Sequence, residues 1–245
     1  MNLHEYQAKE LFEEYNLPVS KRALISEKDQ IKTALDSIRF SSGCVAKVQA
    51  HTGGRGKVGG VKLCKTIGDV EKFVDQWLGK RIKTIQTDET GLPVNIISVE
   101  ELTDIDKELY LSLVVDRGAK CILLILSEAG GMNIEEVAEK TPEKILKAKL
   151  NSKFIIPHDE ISHLSKNLGF SKNQESEFKH IIDNCCKIFK ERDLSLLEIN
   201  PLVITKEGSL HCLDAKLNID ENALFRQKQI AEKRDPSQED PREFE

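Results

Sequence analysis

The sequence predicts an α+β protein of two subdomains. Strand-like and helix-like segments fall in two clusters, before and after about Thr103. A basic, glycine-rich loop lies between two strands of the first cluster, and a hairpin carrying isolated polar groups closes the second. With 245 residues, 39% of them apolar, the chain can fill one large core or two small ones. Ligands commonly bind between subdomains, so a cleft there is the expected site.

Leu3, Tyr6, Leu11, Phe12 and Tyr15 share a helical face and predict a first helix from about Asn2, its cap, to Tyr15, closed by Leu17-Pro18. RALI reads as a strand. Ser26 and Asp29 resemble a capping box for a helix bearing Ile31, Ala34, Leu35 and Ile38. CVAKVQA and GGVKLCKT are strands flanking the glycine loop; a helix near Asp69 to Trp77 and the strands RIKTIQT and VNIISVEEL follow. KELYLSLVVDR and KCILLILS form a hairpin around Asp116 to Lys120. Gly130-Gly131 and Asn133 lead into the helix IEEVAEK, and Thr141-Pro142-Glu143 reads as the start of another. Phe178, Ile181, Ile182, Cys185, Ile188 and Phe189 mark a long helix before the hairpin LSLLEINPLVI-TKEG-SLHCLDAKL.

A net charge of −5 argues against a nucleic-acid binder and makes the basic loop a local exception, suited to a small anion. The longest apolar run, CILLIL, is too short to cross a membrane. The charged opening MNLHEYQAKELFEEY has no signal-peptide core. Six cysteines without a CxxC pair read as buried, reduced thiols. A cytoplasmic location is the expectation.

The loop Gly54-Arg55-Gly56-Lys57-Val58-Gly59 fits G-x-G-x-x-G, but a strand follows it where a dinucleotide fold needs a helix. A P-loop fails as well, because Val58 follows Lys57. What remains is a strand–loop–strand flap whose amides can approach phosphates, with Lys47 on the preceding strand as a point charge. The competing account is a mobile surface hairpin with solvated lysines.

Glu198, Asn200 and Asp214 are polar positions in otherwise apolar strands. Glu198 and Asn200 share a face, and a turn centred on Glu207 sets Asn200 opposite Asp214. An amide oxygen facing a carboxylate suits Mg²⁺, although spacing alone somewhat favours a hydrogen-bonded pair at a sheet end. Glu100 and Glu108, with Glu101, flank the subdomain joint, either as a solvated patch or as the lining of a nucleotide cleft.

Together, MNLHEYQAKELF, AHTGGRGKVGGVK, LLEINPLV, CLDAKL, NALFRQ and SQEDPRE resemble the β subunits of succinyl-CoA synthetases, ADP- or GDP-forming, over essentially the whole chain. The resemblance implies an ATP-grasp fold, with residues 1–19 and 104–226 as its larger subdomain and 20–103 as the nucleotide-binding one. It implies ATP or GTP as substrate and Mg²⁺ as cofactor. It places phosphates near Lys47 and the Gly54, Arg55 and Gly56 amides, and base and ribose near Glu100 and Thr103. Glu108 falls in the same nucleotide site. Asn200 and Asp214 match metal ligands, and Glu198 matches a glutamate that assists a phosphohistidine carried by an α-subunit partner, in an αβ or α2β2 assembly.

Such β subunits continue into a flavodoxin-like domain, so residues 227–245 are expected to be a charged linker. The chain alone is then expected to bind nucleotide without completing the ligase reaction. Thr52 and Val58 stand where relatives commonly carry alanine. A related acid–CoA ligase, such as a malate–CoA ligase, and a non-catalytic nucleotide-binding or assembly module are the alternatives.

Overall fold

The computed structural model describes residues 1–239; residues 240–245, the end of the expected linker, lie outside the described residues. The chain forms two units, one of Met1–Val19 with Thr103–Lys233, the other of Ser20–Leu102 with the residues from Arg234 on.

Helix α1 (Glu5–Glu14) buries Ala8, Leu11 and Phe12. Its N-terminal cap is His4, whose N–H donates to Gln7 Oε1 at 2.9 Å. Asn2, the expected cap, is instead drawn into a bridge with Asn218, and the Met1 ammonium donates to the Ile219 carbonyl at 3.0 Å. The chain end is thereby tied to the first unit before the helix begins.

The second unit carries β1 (Arg22–Ile25), α2 (Ile31–Asp36), β2 (Cys44–Gln49), β3 (Val61–Cys64), α3 (Ile67–Trp77), β4 (Arg81–Ile82), β5 (Leu92–Pro93) and β6 (Ile96–Glu101). Its main sheet runs β1-β6-β2-β3, every pair antiparallel. Val70, Phe73 and Val74 of α3 and Ile31, Ala34 and Leu35 of α2 meet Val48, Ile97 and Val99 in one core. The capping of α2 differs from the Ser26–Asp29 expectation: Gln30 Oε1 accepts from the N–H groups of Ser26 and Glu27, at the end of a 3₁₀ turn. RIKTIQT yields only the two-residue β4, because Thr84 and Gln86 turn away to support the glycine loop.

The first unit continues with β7 (Ile105–Asp116), β8 (Cys121–Ser127), α4 (Ile134–Lys140), β9 (Ile145–Lys149), α5 (His158–Asn167), α6 (Lys172–Glu191), β10 (Leu194–Thr205), β11 (Leu210–Cys212), β12 (Lys216–Ile219) and α7 (Lys228–Ala231). Its sheet runs β11-β10-β7-β8-β9, with β12 also on β10. Ser171 caps α6 by accepting from Gln174 N, and Phe178, Ile182 and Cys185 reach the same core as Phe12, Leu111, Leu197 and Ile199. Truncating a side chain as fully enclosed as Phe178 costs about 3–5 kcal/mol. Thr141-Pro142 opens one 3₁₀ turn rather than a helix, since Ile145–Lys149 pairs with β8 and inserts Ala148 into the core. The stretch expected as a linker is folded as far as it is described: α7 belongs to the first unit, and Gln238, buried in the second, donates to Pro93 O and accepts from His51 N.

Candidate functional site

In the second unit, Gly54 has φ of 72° and opens the 3₁₀ turn Arg55–Val58 between β2 and β3. A Cβ placed on Gly54 or Gly56 would meet no protein atom within 4 Å, so the main chain is open to a ligand at both positions. The loop is anchored from behind: Gly53 N donates to Gln86 Oε1 at 2.8 Å, the Thr52 and Thr84 hydroxyls meet at 2.6 Å, and Trp77 Nε1 donates to Gly59 O at 3.0 Å. The Arg55 guanidinium is buried and donates to Val48 O at 2.7 Å, so this residue offers its backbone rather than its charge. Lys47 on β2 and Glu100 on β6 form a buried ion pair at 2.9 Å. Thr103 is half-buried in the link between β6 and β7.

The first unit holds the other predicted residues around an interruption in its sheet. The β10 register shifts between Ile199 and Leu202, at Asn200-Pro201, where proline brings no N–H to the ladder. On the opposite side, β11 stops at Cys212 and β12 starts at Lys216, leaving Asp214 in the gap. Both flanking ladders keep one register (Leu202 opposite Cys212, Glu198 opposite Lys216), which carries Asn200 opposite Asp214. Asp214 Oδ1 accepts from Ala215 N at 2.7 Å. Asn200 Oδ1 accepts from Gly131 N at 2.8 Å, and its Nδ2 donates to Met132 O at 2.9 Å, so a strap from the β8–α4 connection fixes which way the amide faces.

Burial holds the Glu198 carboxyl above the ordinary carboxylate range; Asp214 and Glu135 push the same way, against Lys216 and the Asn200 amide. Glu108, on β7, lies under the strap: a Cβ on Gly131, whose φ is 68°, would sit 2.4 Å from Glu108 Oε2. Tyr110, two residues on, is buried, and its hydroxyl is pushed above its usual range by burial and by Glu198.

The structure thus brings Lys47 together with Glu100 and assembles Glu198, Asn200 and Asp214 at one sheet interruption. Sequence reasoning missed Tyr110, Glu135, Lys216 and the strap. A signal existed for Tyr110, because Glu108, Tyr110 and Ser112 make a polar face that alternates with Leu109, Leu111 and Leu113. The strap left no such trace, since its partners are 69 and 68 residues apart.

The donor chemistry fits Mg²⁺. An amide oxygen and a carboxylate are hard ligands, and a carboxyl kept above its normal range beside further acids is relieved by a cation. Among the described residues no group of three or more His, Cys, Asp or Glu side chains could hold a metal ion.

An antiparallel α+β unit with an oxygen-donor pair at a sheet gap, together with a smaller α+β unit presenting an open glycine loop, is the architecture of an ATP-grasp protein. Residues 2–204 match the ATP-grasp domain family, and the chain belongs to it. It is 51% identical over 243 residues to the succinate–CoA ligase [ADP-forming] subunit beta of Pseudomonas aeruginosa, and 50% identical to that of Pseudomonas fluorescens. Each comparison covers 99% of this chain, and the chain spans 62% of the length of these relatives. The ATP citrate lyase of Methanothrix soehngenii, solved with citrate and coenzyme A, shares the fold at TM-score 0.72 and 18% identity, over 98% of this chain and 57% of that one. No helix among the described residues is long and apolar enough to cross a membrane.

Proposed function

We propose that this chain is the nucleotide- and Mg²⁺-binding part of a succinate–CoA ligase β subunit, contributing to the interconversion of succinate, CoA and nucleoside triphosphate with succinyl-CoA, nucleoside diphosphate and phosphate. The observation that carries the reading is 51% identity across the chain to a relative of that name, joined to an amide–carboxylate pair at one sheet gap. The name of that relative, ADP-forming, favours an adenine nucleotide. The finer assignments keep the roles drawn from the resemblance. Gly54, Arg55 and Gly56 bind phosphates through their amides, Lys47 adds charge, and Glu100, Thr103 and Glu108 bind the rest of the nucleotide. Asn200 and Asp214 hold Mg²⁺, which neutralises phosphate charge when bound. Glu198 accepts a hydrogen bond from a histidine of an α-subunit partner and orients its ring for phosphoryl exchange. A cytoplasmic location goes with this role.

Calorimetric titration of ADP, ATP and GTP, with and without Mg²⁺, tests the reading. Adenine nucleotide binding that Mg²⁺ strengthens is expected. Asp214→Ala should remove at least the roughly 10–100-fold that loss of an outer partner costs a metal site. Folded protein that binds none of the three, or an Asp214→Ala variant that responds to Mg²⁺ as the parent does, overturns it.

A further inference from the structure

We infer that Lys9 is a positioning residue for Asp214, an inference that rests on the metal role proposed above. The Lys9 side chain is 0% exposed in α1, and its partner Glu5, one turn earlier, is 2% exposed. Lys9 Nζ lies 2.9 Å from Glu5 Oε1 and donates to the Leu213 carbonyl at 2.7 Å. Removing two charges from water costs more than a salt bridge commonly returns, and a well-packed apolar pair of the same size is often no less stable. Core stability alone therefore does not explain the pair.

Its contact does. Leu213 falls in the gap between β11 and β12. Its carbonyl belongs to the peptide group whose N–H is that of Asp214. Leu213 N donates to Pro201 O at 3.2 Å, and Ala215 N donates to Asp214 Oδ1 at 2.7 Å. Lys9 adds the side-chain contact to this arrangement and fixes the plane of the 213–214 peptide, hence the direction in which the carboxylate leaves the backbone. Glu5 holds the ammonium at that spot and neutralises it. An apolar helix residue could fill the space but could not hold a carbonyl.

The test compares the parent chain with Glu5→Gln/Lys9→Met, which keeps the volume and leaves no orphaned carboxylate, and with Lys9→Gln, which shortens the donor. Mn²⁺ binding in the presence of ADP is read by electron paramagnetic resonance, and ADP binding without metal by calorimetry. The expected result is Mn²⁺ affinity about tenfold weaker in the double variant, the scale seen when an outer partner of a metal ligand is lost, with metal-free ADP binding unchanged. Lys9→Gln should lose Mn²⁺ affinity by a smaller factor, and it carries the test should the double variant not fold. Unchanged Mn²⁺ affinity, or an equal loss of metal-free ADP binding, overturns the inference while the metal reading stands. A parent chain whose ADP complex takes up no Mn²⁺ overturns the metal reading and the inference together.

Discussion

The two candidate sites handle charge in opposite ways. In the glycine-loop unit each buried charge is matched within the unit: Lys47 meets Glu100, and the Arg55 guanidinium is spent on Val48 O. At the sheet gap of the hairpin unit acids are gathered: burial disfavours the charged form of Glu198, and Asp214 and Glu135 add to the penalty, whereas the Glu5–Lys9 pair elsewhere in that unit is matched. The second site is built around negative charge that a cation would complete. The difference shows that a buried residue's charge is informative only alongside what already neutralises it.

Breaking Lys47–Glu100 tests the matched side and carries the largest effect on stability. Lys47→Met removes the ammonium that faces a carboxylate only 1% exposed, which should cost about 3–5 kcal/mol in denaturant unfolding. Lys47→Met/Glu100→Gln should cost less than the single variant. A single-variant loss too small to measure would show that the pair is not what balances this unit. On the gathered side the sign reverses. A carboxyl whose pKa is raised on folding contributes its stability below the unfolded value and loses it as pH rises through the folded one, so at neutral pH Glu198 is a burden. Glu198→Gln should unfold at the same temperature as the parent or higher when Mg²⁺ is withheld; a lower midpoint would place Glu198 among the matched charges.

The strap over Asn200 gives intermediate effects. A Cβ on Gly130 would lie 2.4 Å from the Leu109 backbone nitrogen, which cannot move aside, whereas a Cβ on Gly131 would meet the mobile end of Glu108. Gly131→Ala introduces left-handed strain at φ 68°, worth about 1–2 kcal/mol, and displaces Glu108. Gly130→Ala should lower the unfolding midpoint further than Gly131→Ala, and the reverse order would mean that the strap rather than β7 gives way.

How much of this was legible depends on the range of the interaction. The α+β class and the long helix α6 follow from local apolar periodicity, and so does the strand pair β7–β8. The opposition of Asn200 and Asp214 needs only period two and a turn centre, both local to one hairpin. Where a distant partner decides, the sequence is silent: Thr84 and Gln86 look like strand residues until the glycine loop claims them. α5 escaped because Ile161 and Leu164 are its only large apolar residues, too few to set a period. Lys9 belongs with these cases, since its target carbonyl is 204 residues away.

The smallest effect separates charge matching from location. Asp193 lies in the hairpin unit, yet its carboxylate accepts from Arg226 Nε at 2.9 Å and from Gln227 Nε2 at 2.8 Å, and these contacts, Arg226 first, hold it below its ordinary range. A carboxyl depressed on folding stabilises above its unfolded pKa, near 3.9, and loses that contribution as pH falls through the folded value. Arg226 is exposed, so the pair is screened and its contribution small. Asp193→Asn should therefore lower the unfolding midpoint slightly at neutral pH, and the difference from the parent should close once the pH drops below both values. If matching sets the response, this variant resembles a mild Lys47→Met and opposes Glu198→Gln. If it instead raised the midpoint as Glu198→Gln is expected to, the contrast would belong to the unit as a whole and not to how each charge is met.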